Sequence, residues 1–316
     1  MKNICLAFLL TFGVCHAQDP HFSQFFFNKL YLNPAYAGAD NGMRFHSNFR
    51  EQWPSLPSRI RTFSAGYDAG IPMWGAGAGF LASHHVEGQG FLAQTRMTAL
   101  FSKVVGIKDT DNEKLFLYFG LSAGMIRQSV DWDRLTFGDQ LDPVLGVVRP
   151  TSNVPPATSK IQPDFGSGVM IRYKWMNYFN SIGFAIDHIN MPDVSLYETG
   201  QRMPVKYTIH YQGSFQLMKA NDDLYTFVHP AAIFQNQGAF RNLNFGGYLA
   251  HGQFFGGLWY RSQRFNFSEK RLDATIINIG FKDRMATDWF YTVGYSYDAT
   301  LSPLRSRTGG THEIAL

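Results

Sequence analysis

The chain has only two cysteines in 316 residues, Cys5 and Cys15, and both fall within its first seventeen. That stretch reads as a secretory signal: Lys2 gives the charged start, Ile4 to Val14 the apolar core, and Cys15-His16-Ala17 a cleavage site ending in a small residue. Cleavage after Ala17 is expected, so that the mature chain begins at Gln18 without any cysteine. A disulfide framework is thereby excluded, and stability must come from hydrogen bonding and packing. Lipid attachment at Cys15 is not expected either, because Phe12-Gly13-Val14 lacks the leucine and small residue that precede a modified cysteine.

Charge is also scarce, at 16% of residues, and loss of Lys2 with the signal leaves 27 Lys plus Arg against 24 Asp plus Glu. No dense basic stripe exists, so a nucleic-acid partner is excluded. After the signal no apolar run approaches the roughly 18 residues of a spanning helix. What is abundant is aromatic side chains, 16%, and glycine, 30 residues. A chain of this kind is a large secreted β-protein or an outer-membrane barrel.

The period is two from Met43 onward. In the stretch 288–298, Trp289, Tyr291, Val293, Tyr295 and Tyr297 alternate with Asp288, Phe290, Thr292, Gly294, Ser296 and Asp298; the stretch 205–217 alternates in the same way. Segmentation by this period and by turn residues gives about fourteen strands, near 43–50, 59–70, 74–85, 91–106, 114–130, 164–175, 178–190, 205–219, 223–236, 239–252, 254–266, 272–283, 287–300 and 309–316. The even number suits a single-chain bacterial barrel. If the first strand runs outward, the inner connections are nearly all tight turns. The outer ones include 51–58, 131–163, 191–204 and 301–308, and are longer as a set. A sandwich has no reason to sort its loops in this way, so the expected fold is all-β: a transmembrane barrel, residues 43–316, behind an N-terminal non-strand segment, residues 18–42, with both chain ends in the periplasm.

Few motifs carry chemistry. Trp74-Gly75-Ala76-Gly77-Ala78-Gly79-Phe80 continues as a strand with no helix to receive a phosphate, so its glycines are read as a bare strand face on which another segment can pack. His84-His85 and Asp187-His188 lack a third ligand, and adjacent strand residues point to opposite faces, so they read as strand-end histidines near a membrane interface. Asp109-Thr110-Asp111-Asn112-Glu113 and Asn221-Asp222-Asp223 read as solvated turns. No Gly-x-Ser-x-Gly stretch or other nucleophile arrangement stands out, so no catalytic residue, metal or cofactor is expected. On barrel features alone a porin or small-solute channel is the competing function.

Four stretches taken together are more specific. Gln18-Asp19-Pro20-His21-Phe22-Ser23-Gln24-Phe25 with Leu32-Asn33-Pro34-Ala35-Tyr36-Ala37-Gly38, then Arg50-Glu51-Gln52-Trp53-Pro54-Ser55, then Gly294-Tyr295-Ser296-Tyr297-Asp298, and finally Gly310-Thr311-His312-Glu313-Ile314 resemble, in matching order, the PorP/SprF family of Bacteroidota. Leu135-Thr136-Phe137-Gly138-Asp139-Gln140 and the stretch 249–261 fall between them in order, while Phe26-Phe27 and Lys29 depart from the Tyr and Pro common in relatives.

The resemblance implies a non-enzymatic, fourteen-stranded accessory component of type IX secretion and gliding, in contact with outer-membrane lipid. Its implied partners are a surface protein carrying a C-terminal secretion signal, or periplasmic ring or peptidoglycan-binding components, with the first favoured.

Physically, an aromatic segment broken by Asn and Pro cannot sit in lipid, because its unpaired backbone groups would cost several kcal/mol each. It must enter the lumen or reach out to a periplasmic partner. The residues singled out for either role are Asp19, Pro20, Phe22, Ser23, Gln24, Phe25, Asn33, Pro34, Tyr36, Gly38, Arg50, Gln52, Trp53, Tyr295, Tyr297, Asp298, His312 and Glu313. In the lumen arrangement, Phe22, Phe25, Phe26, Phe27, Tyr31 and Tyr36 are expected to bury against glycines such as Gly75, Gly77 and Gly79.

Overall fold

The computed structural model describes residues 19–40, 42–57, 59–88, 91–142, 144–152, 157–196, 200–221, 224–263, 273–286, 289–301 and 305–316. The expected signal peptide, its expected cleavage site and Gln18 lie outside them, as does most of the Asn221-Asp222-Asp223 stretch. Among the described residues no helix is long and apolar enough to cross a membrane.

The strands are β1 (Met43–Gln52), β2 (Ile60–Ile71), β3 (Ala76–Glu87), β4 (Leu92–Asp109), β5 (Glu113–Val130), β6 (Leu141–Asp142), β7 (Gly146–Val147), β8 (Ser159–Trp175), β9 (Tyr178–Asp187), β10 (Lys206–Asn221), β11 (Leu224–Gln237), β12 (Phe240–His251), β13 (Phe254–Ser262), β14 (Ala274–Ala286), β15 (Trp289–Thr300) and β16 (Thr311–Ala315). All but β6 and β7, a small hairpin within the 131–158 loop, form one closed antiparallel barrel of fourteen strands. Closure pairs β1 with β16, from Gln52 opposite Thr311 to Asn48 opposite Ala315. A closed ladder is what strands need in hydrocarbon, since each then has a partner on both sides.

The faces sort by the period of two. Trp289, Tyr291, Val293, Tyr295 and Tyr297 are exposed on the outside, whereas Ser296 and Asp298 are buried inside. The inside is filled rather than open: His46, Asn48, Arg50, Ser64, Thr98 and Asn278 are all nearly inaccessible. Inner connections span at most four residues, while the 131–158 and 188–205 loops lie at the other end. Short turns mark the periplasmic end and long loops the outer end.

Several boundaries differ from the sequence expectation by a few residues, and local causes account for three of them. β9 stops at Asp187 because His188 takes a left-handed backbone, φ 58°, and leaves the ladder. Gly309 and Gly310, at φ 75° and 72°, delay β16 to Thr311. β8 starts at Ser159, through Pro163, which the sequence reading placed in a loop. There β8 is a local edge, because its pairing with β9 begins only at Ser167, and an edge tolerates a proline.

The N-terminal segment departs from the expected topology. Asp19, the first described residue, lies at the outer end against Gln237, and Gly38 lies at the periplasmic end against Asp68 and Gly77. The described segment therefore begins at the outer end and descends the lumen before β1 climbs back. The expectation of a periplasmic N-terminal end is corrected accordingly. Loop sorting constrains only the strands, and a segment inside the lumen adds a pass that it does not register.

Candidate functional site

Residues 19–40 form a run of short turns: a bend at 23–27, one helical turn at Lys29–Leu32 and a 3-10 turn at Pro34–Tyr36. Asn33 sets the second of these. It is extended, as a residue before proline must be, and its side-chain oxygen accepts from the Ala35 N–H at 2.9 Å. Its amide nitrogen donates to the Val169 and Phe184 carbonyls at 3.0 and 3.2 Å. One asparagine thus caps a turn and fastens it to the wall between β8 and β9. Tyr36 lies beside it, its hydroxyl 3.3 Å from His210 Nδ1 and its ring under the Arg172 guanidinium at 5.4 Å.

The apolar side chains divide between two walls. Phe22 packs edge-on against Tyr31, at 5.1 Å between centroids, and joins Leu30, Tyr36, Leu81 and Leu100. Phe25 and Phe26 pack on Trp259, edge-on at 5.3 Å and stacked at 4.8 Å, with Ile233 and Ile276 behind. Each such buried side chain contributes roughly 1.5–3 kcal/mol.

The rings do not use the expected glycines. Gly75 is a turn residue, and Gly77 receives the backbone of Ala37 and Gly38: a Cβ there would lie 2.1 Å from the Ala37 oxygen. Gly77 admits main chain because main chain needs the closest approach, while the one ring of the segment that does meet a lumen glycine, among the described residues, is Phe27, whose Cε2 lies 2.9 Å from where a Cβ of Gly294 would stand. Main chain comes as close at Gly120, where a Cβ would stand 2.1 Å from the Ala35 nitrogen. Gly120→Val should therefore loosen the 34–36 turn by about 1–3 kcal/mol, seen as faster proteolysis of the segment while the barrel keeps its resistance to unfolding in detergent.

Two buried ion clusters hold the outer half of the segment. In the first, Glu313 accepts from the backbone N–H groups of Ser23 and Gln24, at 2.7 and 3.0 Å. Asp298 accepts from the Ser23 hydroxyl at 2.6 Å and from Arg261 at 2.7 Å. Arg50 reaches both acids, at 3.1 and 3.3 Å, and also donates to the Ser23 hydroxyl. Gln52 accepts from Arg50 at 3.4 Å.

In the second cluster, Asp19 receives Lys206 at 2.6 Å and His188 Nε2 at 2.9 Å, while His188 Nδ1 meets Asp164 at 2.8 Å. Arg96 contacts Asp164 at 2.9 Å and Asp187 at 3.0 Å. Both His188 nitrogens face carboxylates, which only accept, so both must donate and the ring is an imidazolium. Three anions, Asp19, Asp164 and Asp187, then balance three cations.

Burial alone would raise the Asp19 carboxyl, but His188, Lys206 and Arg96 overcome it and hold the group well below the ordinary carboxylate range. Burial would likewise lower His188, and Asp19 and Asp164 overcome it and raise the ring. The signs differ. The His188 contribution is complete below its ordinary value, about 6.5, and is lost as pH climbs through the raised value. The Asp19 contribution is present above its own ordinary value, about 4, and is lost only as pH falls through the depressed one. The attachment should therefore weaken on the alkaline side first. Spontaneous openings in planar bilayers should become more frequent as pH is raised above His188's ordinary range, and His188→Gln should flatten that dependence; more openings at the acid side would contradict the assignment.

The type IX secretion system membrane protein PorP/SprF family matches residues 14–316. The chain belongs to that family. The chain also aligns over most of its length with solved structures. CdiB from Acinetobacter baumannii is 8% identical with a TM-score of 0.49, over 86% of this chain and 59% of that one. A Pseudomonas aeruginosa FadL homologue is 11% identical, TM-score 0.34, over 86% of each chain. The translocator domain of the autotransporter NalP from Neisseria meningitidis is 10% identical, TM-score 0.29, over 87% of each. The chain thus spans about three-fifths of CdiB, and at these scores the likenesses carry no functional argument. No curated protein matches the chain.

The residues by which the PorP/SprF resemblance was read divide by strand face. Asp19, Pro20, Phe22, Ser23, Gln24, Phe25, Asn33, Pro34, Tyr36 and Gly38 lie inside, as do Arg50, Gln52, Asp298 and Glu313, of which Arg50, Asp298 and Glu313 hold Ser23 and Gln24; Pro20 accepts from the Tyr31 hydroxyl at 2.6 Å and Gly38 donates to Asp68 at 2.8 Å. Tyr295, Tyr297 and His312 do not join them. They form their own group on the lipid side, with the Tyr295 hydroxyl 2.8 Å from His312 Nδ1 and the Tyr297 ring 5.2 Å from the imidazole. Trp53, left-handed at φ 57°, donates to the Gly310 carbonyl at 2.9 Å and ties the first outer loop to the start of β16.

The sequence pattern does not single out Lys206, Arg96, Arg172, Trp259 and Arg261, and its reading of His188 as a strand-end residue near the membrane interface is corrected, since the ring is buried between Asp19 and Asp164. Most sit at inward positions of polar strand faces, and a charge on such a face was the available signal. Among the described residues no group of His, Cys, Asp and Glu could hold a metal.

Proposed function

We propose that this PorP/SprF protein works as a closed, non-catalytic docking barrel. It helps to export or anchor a partner surface protein carrying a C-terminal secretion signal, and it offers its periplasmic side to secretion-system or peptidoglycan-binding components. The observation that carries this reading is the occupied lumen: residues 19–40 are bonded to the wall from the outer end to the periplasmic end, which favours a body that is bound over a channel that conducts. The outer loops supply the second contact surface. Within the 131–158 loop, the β6–β7 hairpin holds Val144, Leu145 and Val147 more than 60% exposed, an apolar tip of the sort that marks interaction sites.

Co-purification tests the proposal. A tagged chain isolated from outer membranes should carry a large protein with a C-terminal secretion signal or a secretion-system component, and Val144→Asp with Leu145→Asp should weaken capture of the surface protein. A chain recovered alone that passes small solutes in liposome swelling would favour the porin reading.

A further inference from the structure

We infer that the periplasmic half of the lumen contains a docking pocket for an extended peptide that presents an aromatic side chain next to an acidic one. This deepens the reading above by naming the chemistry of a periplasmic protein partner. It starts from an asymmetry in how the N-terminal segment covers the wall.

Residues 35–39 lie against β3, β4, β5 and β8: Gly120 faces Ala35, Ser102 donates to the Ala37 carbonyl at 2.6 Å and Arg172 to the Ala39 carbonyl at 2.6 Å. The opposite sector, β10 to β15 below Phe27, is left uncovered and holds a cavity of about 470 Å³. That lies within the range of about 300–1,000 Å³ typical of ligand sites.

The wall of this cavity continues the apolar wall that receives Phe25 and Phe26, where the same strands turn Ile233, Trp259 and Ile276 inward. Higher up, the same strands turn Gln235, Asn242, Asn244, Asn278 and Ser296 inward. At the periplasmic end they turn in Phe227, His229, Tyr248 and Phe255. The rings are continuous: Phe227 to His229 is 6.1 Å, His229 to Tyr248 4.4 Å, and Tyr248 to Phe255 5.5 Å. Above the cavity this wall is covered by Phe25 and Phe26, whereas here its rings face an aqueous mouth, and uncovered apolar surface of that kind marks interaction sites.

The N-terminal segment itself shows what such a wall accepts. Phe26 sits 5.2 Å from Tyr248 and is stacked on Trp259, and Phe27 sits 5.5 Å from Phe255. The pocket extends this internal interface, so a further ring entering from the periplasm would prolong the same stack. Charge selects the neighbour of that ring. Lys282 lines the cavity with its ammonium 5.4 Å from the Phe290 ring and has no carboxylate partner among the described residues, while the nearby Asp283 is engaged by Gln253 at 2.6 Å. A carboxylate beside the incoming ring would find Lys282.

The test uses the full chain refolded in nanodiscs and three fluorescent tetrapeptides, Glu-Phe-Glu-Tyr, Lys-Phe-Lys-Tyr and Glu-Ala-Glu-Ala, read by anisotropy. Only the first should bind. Tyr248→Ala should weaken it about tenfold or more, and Lys282→Glu, at an exposed position that leaves the packing intact, should transfer the preference to Lys-Phe-Lys-Tyr. Equal binding of the alanine peptide, indifference to Lys282→Glu, or displacement by a fatty acid with no charge preference would each overturn the inference; the last would indicate an acyl-chain site. Peptide binding and bilayer conductance are separate readouts, so a chain that conducts yet binds the acidic aromatic peptide keeps this inference and loses the closed-barrel reading.

Discussion

Deleting residues 18–38 should turn a nearly silent barrel into a steady conductor in planar bilayers, with an increase of about an order of magnitude or more, because fourteen strands approach the size at which barrels hold open aqueous channels. The physical basis is the depth to which the segment is built into the wall. Its turns carry backbone groups that no neighbouring strand satisfies, and the lumen satisfies them one by one: Asp19 N–H on Gln237, Ser23 and Gln24 N–H on Glu313, Gly38 N–H on Asp68.

In return the segment occupies the spaces left by Gly77 and Gly120, where any larger residue would collide with it. At the outer end the two ion clusters and the packing of Phe22, Phe25 and Phe26 occupy the lumen around the segment, so ions should pass only when it leaves. Because a deletion can disturb folding, the paired variant Asp19→Ala with Ser23→Ala serves as the second reading: it keeps the chain length, loosens the outer attachment and should produce intermittent openings. A large, steady conductance in the unaltered chain would sink the closed-barrel idea, whatever the variants do.

The barrel was legible because its constraint is local. A strand with lipid on one side and a polar lumen on the other must alternate, and Asp288 to Asp298 shows that alternation without help from any other part of the chain. Strand count and loop sorting follow from the same pattern and from turn residues. The interior was less legible because its constraints join residues far apart.

His188 is the clearest case. Next to Asp187 it looked like a strand-end residue, yet a single left-handed backbone turn carries it inward to bridge acids 24 and 169 positions away. Nothing in the local pattern names those partners. Parity would have helped elsewhere. His312 and Glu313 are neighbours in a strand and so had to face opposite ways, but reading them as one motif concealed that one belongs to the lumen and the other to the lipid face.

That parity gives the sharpest prediction for a single residue. Glu313 is fully buried and accepts from two successive backbone amides of the N-terminal segment while also facing Arg50. Glu313→Ala leaves two amides without an acceptor and leaves Arg50 and Arg261 to share Asp298. Removing one partner of a buried, hydrogen-bonded charge pair costs about 3–5 kcal/mol, and here the cost falls on the docked state of the segment, since the amides regain water when it leaves. The open population should rise roughly a hundredfold to several thousandfold, seen as frequent channel openings and faster cleavage of residues 19–28 in a barrel that still resists unfolding in detergent. Glu313→Gln keeps one carbonyl oxygen and should fall between. His312→Ala, one residue away and on the lipid face, should leave the conductance unchanged. If Glu313→Ala is as silent as the unaltered chain, or His312→Ala opens the barrel equally, then the inward carboxylate is not what holds the segment, and the two clusters are wall chemistry that the segment merely touches.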